Sequence, residues 1–201
     1  MEIDVTKLRG SYVYLEKLDW KHKDALQHLA TDERIWEFNR GLLLNETFDR
    51  QFDQYFSTAM DNTAIGGQQT FVIYNISNDE IIGMTRYANI DEKDKRLEIG
   101  YTWYVPEIWG KIYNKECKLL LLKYAFEELH FNRVQFNVAS QNIRSQKAVE
   151  RIGGVKEGVL RKHGYRNDGS LKDTVIFSII DDEWPVKKEK LLQLIAESEK
   201  D

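Results

Sequence analysis

The stretch from Leu97 to His130 holds the residue types and spacing best suited to chemistry. It reads as a strand (Leu-Glu-Ile-Gly-Tyr-Thr-Trp-Tyr), a short loop with Pro106 and Gly110, and a strong helix signal through Lys115–Phe126. A loop between a strand end and a helix start turns several unpaired backbone N–H groups toward one point. The positive end of the helix dipole adds to them, and the result is a seat for phosphate.

Other chemistries find less support. The four histidines, His22, His28, His130 and His163, are not paired with another His or Cys at ligand spacing, so no metal site is expected. There is no Gly-x-Ser-x-Gly elbow and no P-loop. The single cysteine, Cys117, sits in an apolar helical stretch, where a buried inert thiol is the ordinary reading. One cysteine excludes an intramolecular disulfide and suits a reducing compartment.

The rest of the chain must position this loop. Alternation predicts strands over Ser11–Leu18, Thr70–Ile76, Ile81–Ile90, Arg96–Tyr104, Val134–Val138, Val155–His163 and Lys172–Asp181. The turn at 77–80 joins two of them as a hairpin, and the charged turn Asp91–Lys95 folds the next back antiparallel. The turn Asn167-Asp168-Gly169 joins the last two.

Helical periodicity predicts Asp19–Ala30, a short helix capped by Thr31-Asp32, a helix after Thr47, Asn114–Leu129, Asn142–Ile152 closed by Gly153, and a final helix opened by Pro185. Residues 41–46 and 61–69 read as loops. In the helix after Thr47, Phe48, Phe52, Tyr55, Phe56 and Ala59 form one stripe. Core packing explains it, and an aromatic wall for a substrate pocket is the alternative. The strand–helix–strand unit across 96–138 implies a right-handed parallel crossover. The order β α α α β β β α β α β β gives an α+β domain with a mixed, mostly antiparallel central sheet flanked by helices. Residues 1–184 are expected as one domain and 185–201 as a helical extension.

With 201 residues and 42% apolar side chains, the chain can fill one core. Lys and Arg number 29 against 33 Asp and Glu, a net charge of −4, which argues against a nucleic-acid partner. No apolar run approaches the roughly 18 residues of a membrane span. The N-terminal residues carry no apolar signal core, so a cytoplasmic protein, monomer or homodimer, is expected.

The chain resembles the GCN5-related N-acetyltransferase (GNAT) superfamily, nearest the RimJ/RimL branch of ribosomal-protein N-terminal acetyltransferases. The resemblance rests on residues in order from Leu8 to Trp184. They are Arg9-Gly10, Glu98-Ile99-Gly100-Tyr101, Trp109-Gly110-Lys111 with Glu116, Ala125-Phe126, Asn132-Arg133-Val134, Asn142-Ile143-Arg144-Ser145, Glu150-Arg151-Ile152-Gly153, Glu157-Gly158-Val159-Leu160-Arg161, and Asp173 with Glu183-Trp184.

The resemblance implies acetyl-CoA as donor and a primary amine as acceptor: a protein N-terminus, a polyamine or another small amine. The fourth and fifth expected strands should splay, with the pantetheine arm between them along Trp103, Tyr104 and Val105. The pyrophosphate should rest on amides of Gly110, Lys111, Ile112, Tyr113 and Asn114, and Asn142 should cap its helix beside the cofactor. Glu98 stands where some relatives keep a base, and an ion pair is its other reading. Ser145 stands where the RimL type has a serine that assists the departing thiolate, and an ordinary first-turn hydroxyl is its other reading.

Besides Trp109, where the family often has Gln or Arg, and Asn114, where it usually has Ala or Gly, three positions depart from the pattern. Val149 replaces a tyrosine acid used by many relatives. Ile112 replaces a glycine, which would strain a left-handed backbone but cost little in a helical one. Gly154 replaces a phenylalanine. The first two motivate an alternative, a degenerate GNAT-fold module that binds CoA or a partner without catalysis.

Overall fold

The computed structural model describes residues 7–38, 44–166 and 169–198. Eight strands form one sheet in the order β1-β2-β3-β4-β5-β6-β8-β7. They are β1 (Lys7–Arg9), β2 (Val13–Lys17), β3 (Gln69–Asn75), β4 (Glu80–Asp91), β5 (Arg96–Tyr104), β6 (Arg133–Ala139), β7 (Val155–Tyr165) and β8 (Leu171–Ile180). The helices are α1 (Lys23–Leu29), α2 (Glu33–Trp36), α3 (Phe48–Ala64), α4 (Ile112–Lys123), α5 (Ile143–Arg151) and α6 (Trp184–Glu197). All neighbours are antiparallel except β5 and β6, which are parallel and joined through α4.

The mixed α+β sheet is the expected one, with one addition. The short strand β1 pairs with β2, so the expected fourth and fifth strands are β5 and β6. Residues 41–43 and 167–168 of the expected loops lie outside the described residues.

Apolar side chains divide between the two faces. One core, built on Leu121, Phe136 and Phe177, lies under α4, α5 and α6, and Trp184, Leu191 and Ile195 of α6 belong to it. The other lies under α1–α3, where Phe52, Phe56 and Ala59 of the aromatic stripe are buried with Met84 and Trp103. Asp32 caps α2 by accepting the Arg34 amide at 3.0 Å. Thr47 stands at the N-cap of α3 but its side chain does not cap; its hydroxyl instead donates to Asn45 Oδ1 at 2.6 Å. α4 begins two residues earlier than expected, at Ile112, and its last turn widens into a π-turn over Tyr124–Glu128.

Two buried contacts explain small residues in the sequence. Glu116 of α4 is 4% exposed, and its carboxylate accepts the amides of Ser11, Tyr12 and Val13, each at 2.7 Å. A Cβ at Gly10 would lie 2.4 Å from the Glu116 carboxyl carbon, so the glycine makes room for this lock. A Cβ at Gly154 would lie 2.4 Å from Val149 Cγ1, so glycine there lets β7 follow α5 closely.

Candidate active site

β5 and β6 pair only over Arg96–Glu98 and Arg133–Gln135. Beyond Glu98 the strands part, and a cleft of about 660 Å³ opens between them and continues on both faces of the sheet. Parallel strands that separate leave their facing N–H and C=O groups without a ladder.

Glu98 sits at the apex of the split. It is 7% exposed, and its Oε2 accepts Asn89 Nδ2 at 2.8 Å and Asn137 Nδ2 at 2.7 Å. Oε1 accepts no hydrogen bond among the described residues. Burial pushes the carboxyl pKa up, against the two amide donors, which pull it down. Asn89 reaches it from a bulge in β4, where its own φ is 49°; Asn tolerates that region better than most residues. No ion pair to Glu98 exists among the described residues.

A second bulge lies just along β5. Arg86 pairs with Gly100 and Met84 with Trp103, so Tyr101 and Thr102 together face only Thr85. Tyr101 has φ 53°. A bulge of this kind takes main-chain groups out of the ladder, here at the wall of the cleft.

The three β5 positions expected along the cofactor arm differ in what they offer. The Val105 amide already donates to Ile82 O at 3.0 Å, on the β4 side. Strand alternation then turns the backbone of Tyr104 to the open side, where its carbonyl accepts Trp109 Nε1 at 3.0 Å. The Trp103 side chain lines the cleft on the α2–α3 side, with its ring 6.0 Å from that of Trp36.

The loop before α4 carries the left-handed residue at Gly110, φ 79°, not at Ile112. Ile112 is the first helical residue and packs against the main core, so its side chain causes no backbone strain. Lys111 stands at the N-cap with no side-chain bond. The amides of Ile112, Tyr113 and Asn114 have no hydrogen-bond partner among the described residues. Gly110 and Asn114 both line the cleft, so these free donors border it.

Across the mouth, Asn142 caps α5 by accepting the Ser145 amide at 3.0 Å. Ser145 lines the cleft, as does Val149. Arg144 stacks on Trp109, with its Cζ 3.6 Å from the ring centroid, and so joins the two lips.

Lys118 of α4 is a site residue that its sequence context, with Lys115, Glu116 and Lys123 near it, does not single out. It is buried, lines the cleft and donates to Thr102 Oγ1 at 2.8 Å; burial pushes its pKa down. Only the apolar run around it hinted at burial. Tyr55, from the aromatic stripe, lines the cleft together with Trp36 and Phe38, so that stripe serves both core and pocket. Tyr165 is 53% exposed and does not line it. Among the described residues, no three His, Cys, Asp or Glu converge as metal ligands, and no helix is long and apolar enough to cross a membrane.

Comparison with known proteins agrees with this geometry. Residues 13–155 match the acetyltransferase (GNAT) domain family. The provisionally named ribosomal N-acetyltransferase YdaF of Bacillus subtilis (strain 168) is 37% identical over 125 residues, which span 62% of this chain and 65% of that protein. The uncharacterized N-acetyltransferase p20 of Bacillus licheniformis is 33% identical over 170 residues, 85% of this chain and 93% of that one. A crystal structure of a provisionally assigned acetyltransferase from T. thermophilus superposes with a TM-score of 0.84 at 31% identity, covering 96% of this chain and 98% of that one.

Proposed function

The chain belongs to the GNAT acetyltransferase family, and on that premise we propose that it transfers the acetyl group of acetyl-CoA to a primary amine by direct attack. The observation that carries this reading is the split of β5 from β6 at Glu98, opening beside an uncapped helix N-terminus.

The residues fit coenzyme A as a cosubstrate. The free amides of Ile112, Tyr113 and Asn114, with the α4 dipole behind them, suit its pyrophosphate. The open edge of β5 at Tyr104 suits the amides of its pantetheine arm. Bound acetyl-CoA supplies an activated thioester carbonyl.

Around that carbonyl the chain provides three functions. Oε1 of Glu98 takes a proton from the incoming ammonium, directly or through a water, and its raised pKa keeps it a better base than an ordinary carboxylate. Main-chain N–H groups freed by the bulge at Tyr101–Thr102 hold the developing oxyanion. As the amide C–N bond forms and the C–S bond breaks, the Ser145 hydroxyl hydrogen-bonds the departing thiolate, which leaves as the thiol once protonated. Val149 leaves that position without a donor, so Ser145 takes the role.

The acceptor comes from the opposite, α2–α3 side, through the part of the cleft walled by Trp36, Phe38 and Tyr55. The name of the YdaF relative supports a protein N-terminus among the candidate amines. A non-catalytic module loses one of its two motives, since Ile112 is helical.

Calorimetric titration with acetyl-CoA, joined to thiol release over an amine panel, tests the proposal. Binding and amine-dependent release support it. Binding without release for any amine favours the non-catalytic module.

A further inference from the structure

On the acceptor side of the sheet lies a charge that the reaction above does not use. Arg86 of β4 is 3% exposed, yet its Nε and Nη2 have no hydrogen-bond partner, and no carboxylate pairs with it among the described residues. Its one hydrogen bond is from Nη1 to Gln68 Oε1, at 3.2 Å. The guanidinium is held between two rings, Tyr55 at 4.8 Å and Tyr101 at 4.9 Å, and both tyrosines line the cleft.

Burying a guanidinium with unmet donors is costly, and such groups are normally paired. A second orphan is near in the fold. Trp103 Nε1 is also buried and has no partner among the described residues, and Trp103 lines the cleft in the core beneath α1–α3. Arg and Trp side chains can only donate. Three orphan donors, one on Trp103 at the cleft and two on Arg86 behind the cleft-lining rings of Tyr55 and Tyr101, therefore ask for acceptor atoms and for negative charge.

The register places Arg86 relative to the base. Arg86 pairs with Gly100 and Ala88 with Glu98, so Arg86 and Glu98 lie on the same face of the sheet, one diagonal step apart. The charges lining the cleft point the same way. Glu98 is its only carboxylate among the described residues. A polyamine would bring several cations to a wall that offers one anion.

Resting on the acetyltransferase reading, we propose that the acceptor is a primary amine that also carries a carboxylate, whose oxygens are held by Arg86 with Trp103 while its amine meets Glu98. The planar fork of Arg86 suits a carboxylate, and Tyr101, 51% exposed, stands on the route to it. Free amino acids and peptides beginning with an acidic residue share this chemistry.

The test uses matched pairs with the 201-residue chain and acetyl-CoA: an amino acid and its amide, and peptides beginning with Glu or Gln. The wild-type chain should favour the carboxylate member of at least one series by tenfold or more in kcat/KM, and the favoured series identifies the source. Arg86→Met should lower kcat/KM for that member about tenfold more than for its amide twin, and Arg86→Lys should recover part of the difference. Equal rates within every wild-type pair, or a preference for polyamines, would overturn the inference while leaving acetyl transfer intact; this needs no variant to fold. If no amine is acetylated, calorimetry of the same pairs still decides: carboxylate-selective binding lost in Arg86→Met upholds the seat, and unselective or absent binding overturns it.

Discussion

The carboxylate of Glu98 occupies the space that a side chain at Gly100 would need: a Cβ built there would lie 2.7 Å from Oε1. The glycine two residues after the proposed base is therefore part of that carboxylate's geometry. Gly100→Ala should displace Oε1 from its place at the apex of the split. The expected result is a fall in kcat of about tenfold to a hundredfold, as a small misplacement of a reacting group costs, with acetyl-CoA affinity within about threefold of wild type. Steady-state kinetics beside a cofactor titration checks both.

Glu98 must be ionised to act as a base, and burial raises its pKa. The acid limb of kcat/KM should therefore lie above the ordinary carboxylate range. Glu98→Gln should remove that limb and lower kcat about a hundredfold. Linkage gives the sign for stability. A raised folded pKa contributes stability that is full below the unfolded value and is lost as pH rises through the folded one. Wild-type stability should therefore fall as pH rises through the folded pKa of Glu98, and Glu98→Gln, which cannot ionise, should lack that fall in a series of melts across pH.

The lock between Glu116 and the turn before β2 is structural. Removing its carboxylate strands three amides, two of them partly buried and one buried. Glu116→Ala should cost about 3 kcal/mol or more, since an unsatisfied buried donor costs roughly 1–3 kcal/mol. Glu116→Gln, which keeps an acceptor, should cost less. Urea unfolding of both variants measures the difference.

Ile112 gives the opposite expectation from the one its place in the sequence suggests. As a glycine substitute in a left-handed loop it would weaken the cofactor seat, and Ile112→Gly would tighten it. As the first residue of α4, packed on the core, it stabilises the helix start. Ile112→Gly should lower stability by about 1–2 kcal/mol, from helix propensity and lost burial, and should not tighten acetyl-CoA binding. Thermal melts and calorimetry report the two separately.

Much of the frame was legible because hydrophobic period and turn chemistry agree along it. β5 runs over Arg96–Tyr104 as its alternation predicts, and Asn142 caps α5 as its type predicts. The short strand β1 was not, because three residues carry too little pattern. The residues of the candidate site that mattered most beyond Glu98 were illegible for a different reason. Arg86 and Lys118 are long cations in polar-looking positions, and only tertiary contacts bury them. Nor does any local pattern announce the bulges that turn Asn89 toward Glu98 and set Tyr101 beside Arg86. A bulge is a mismatch between two strands, and neither strand records it alone.

On the proposed function, the split between β5 and β6 binds acetyl-CoA and delivers its acetyl group to an amine. The most direct test is calorimetric titration of the chain with acetyl-CoA, followed by thiol release with amine added. Saturable one-to-one binding and release that depends on both the amine and Glu98 are predicted. No binding at millimolar acetyl-CoA would rule out acetyl transfer at this cleft.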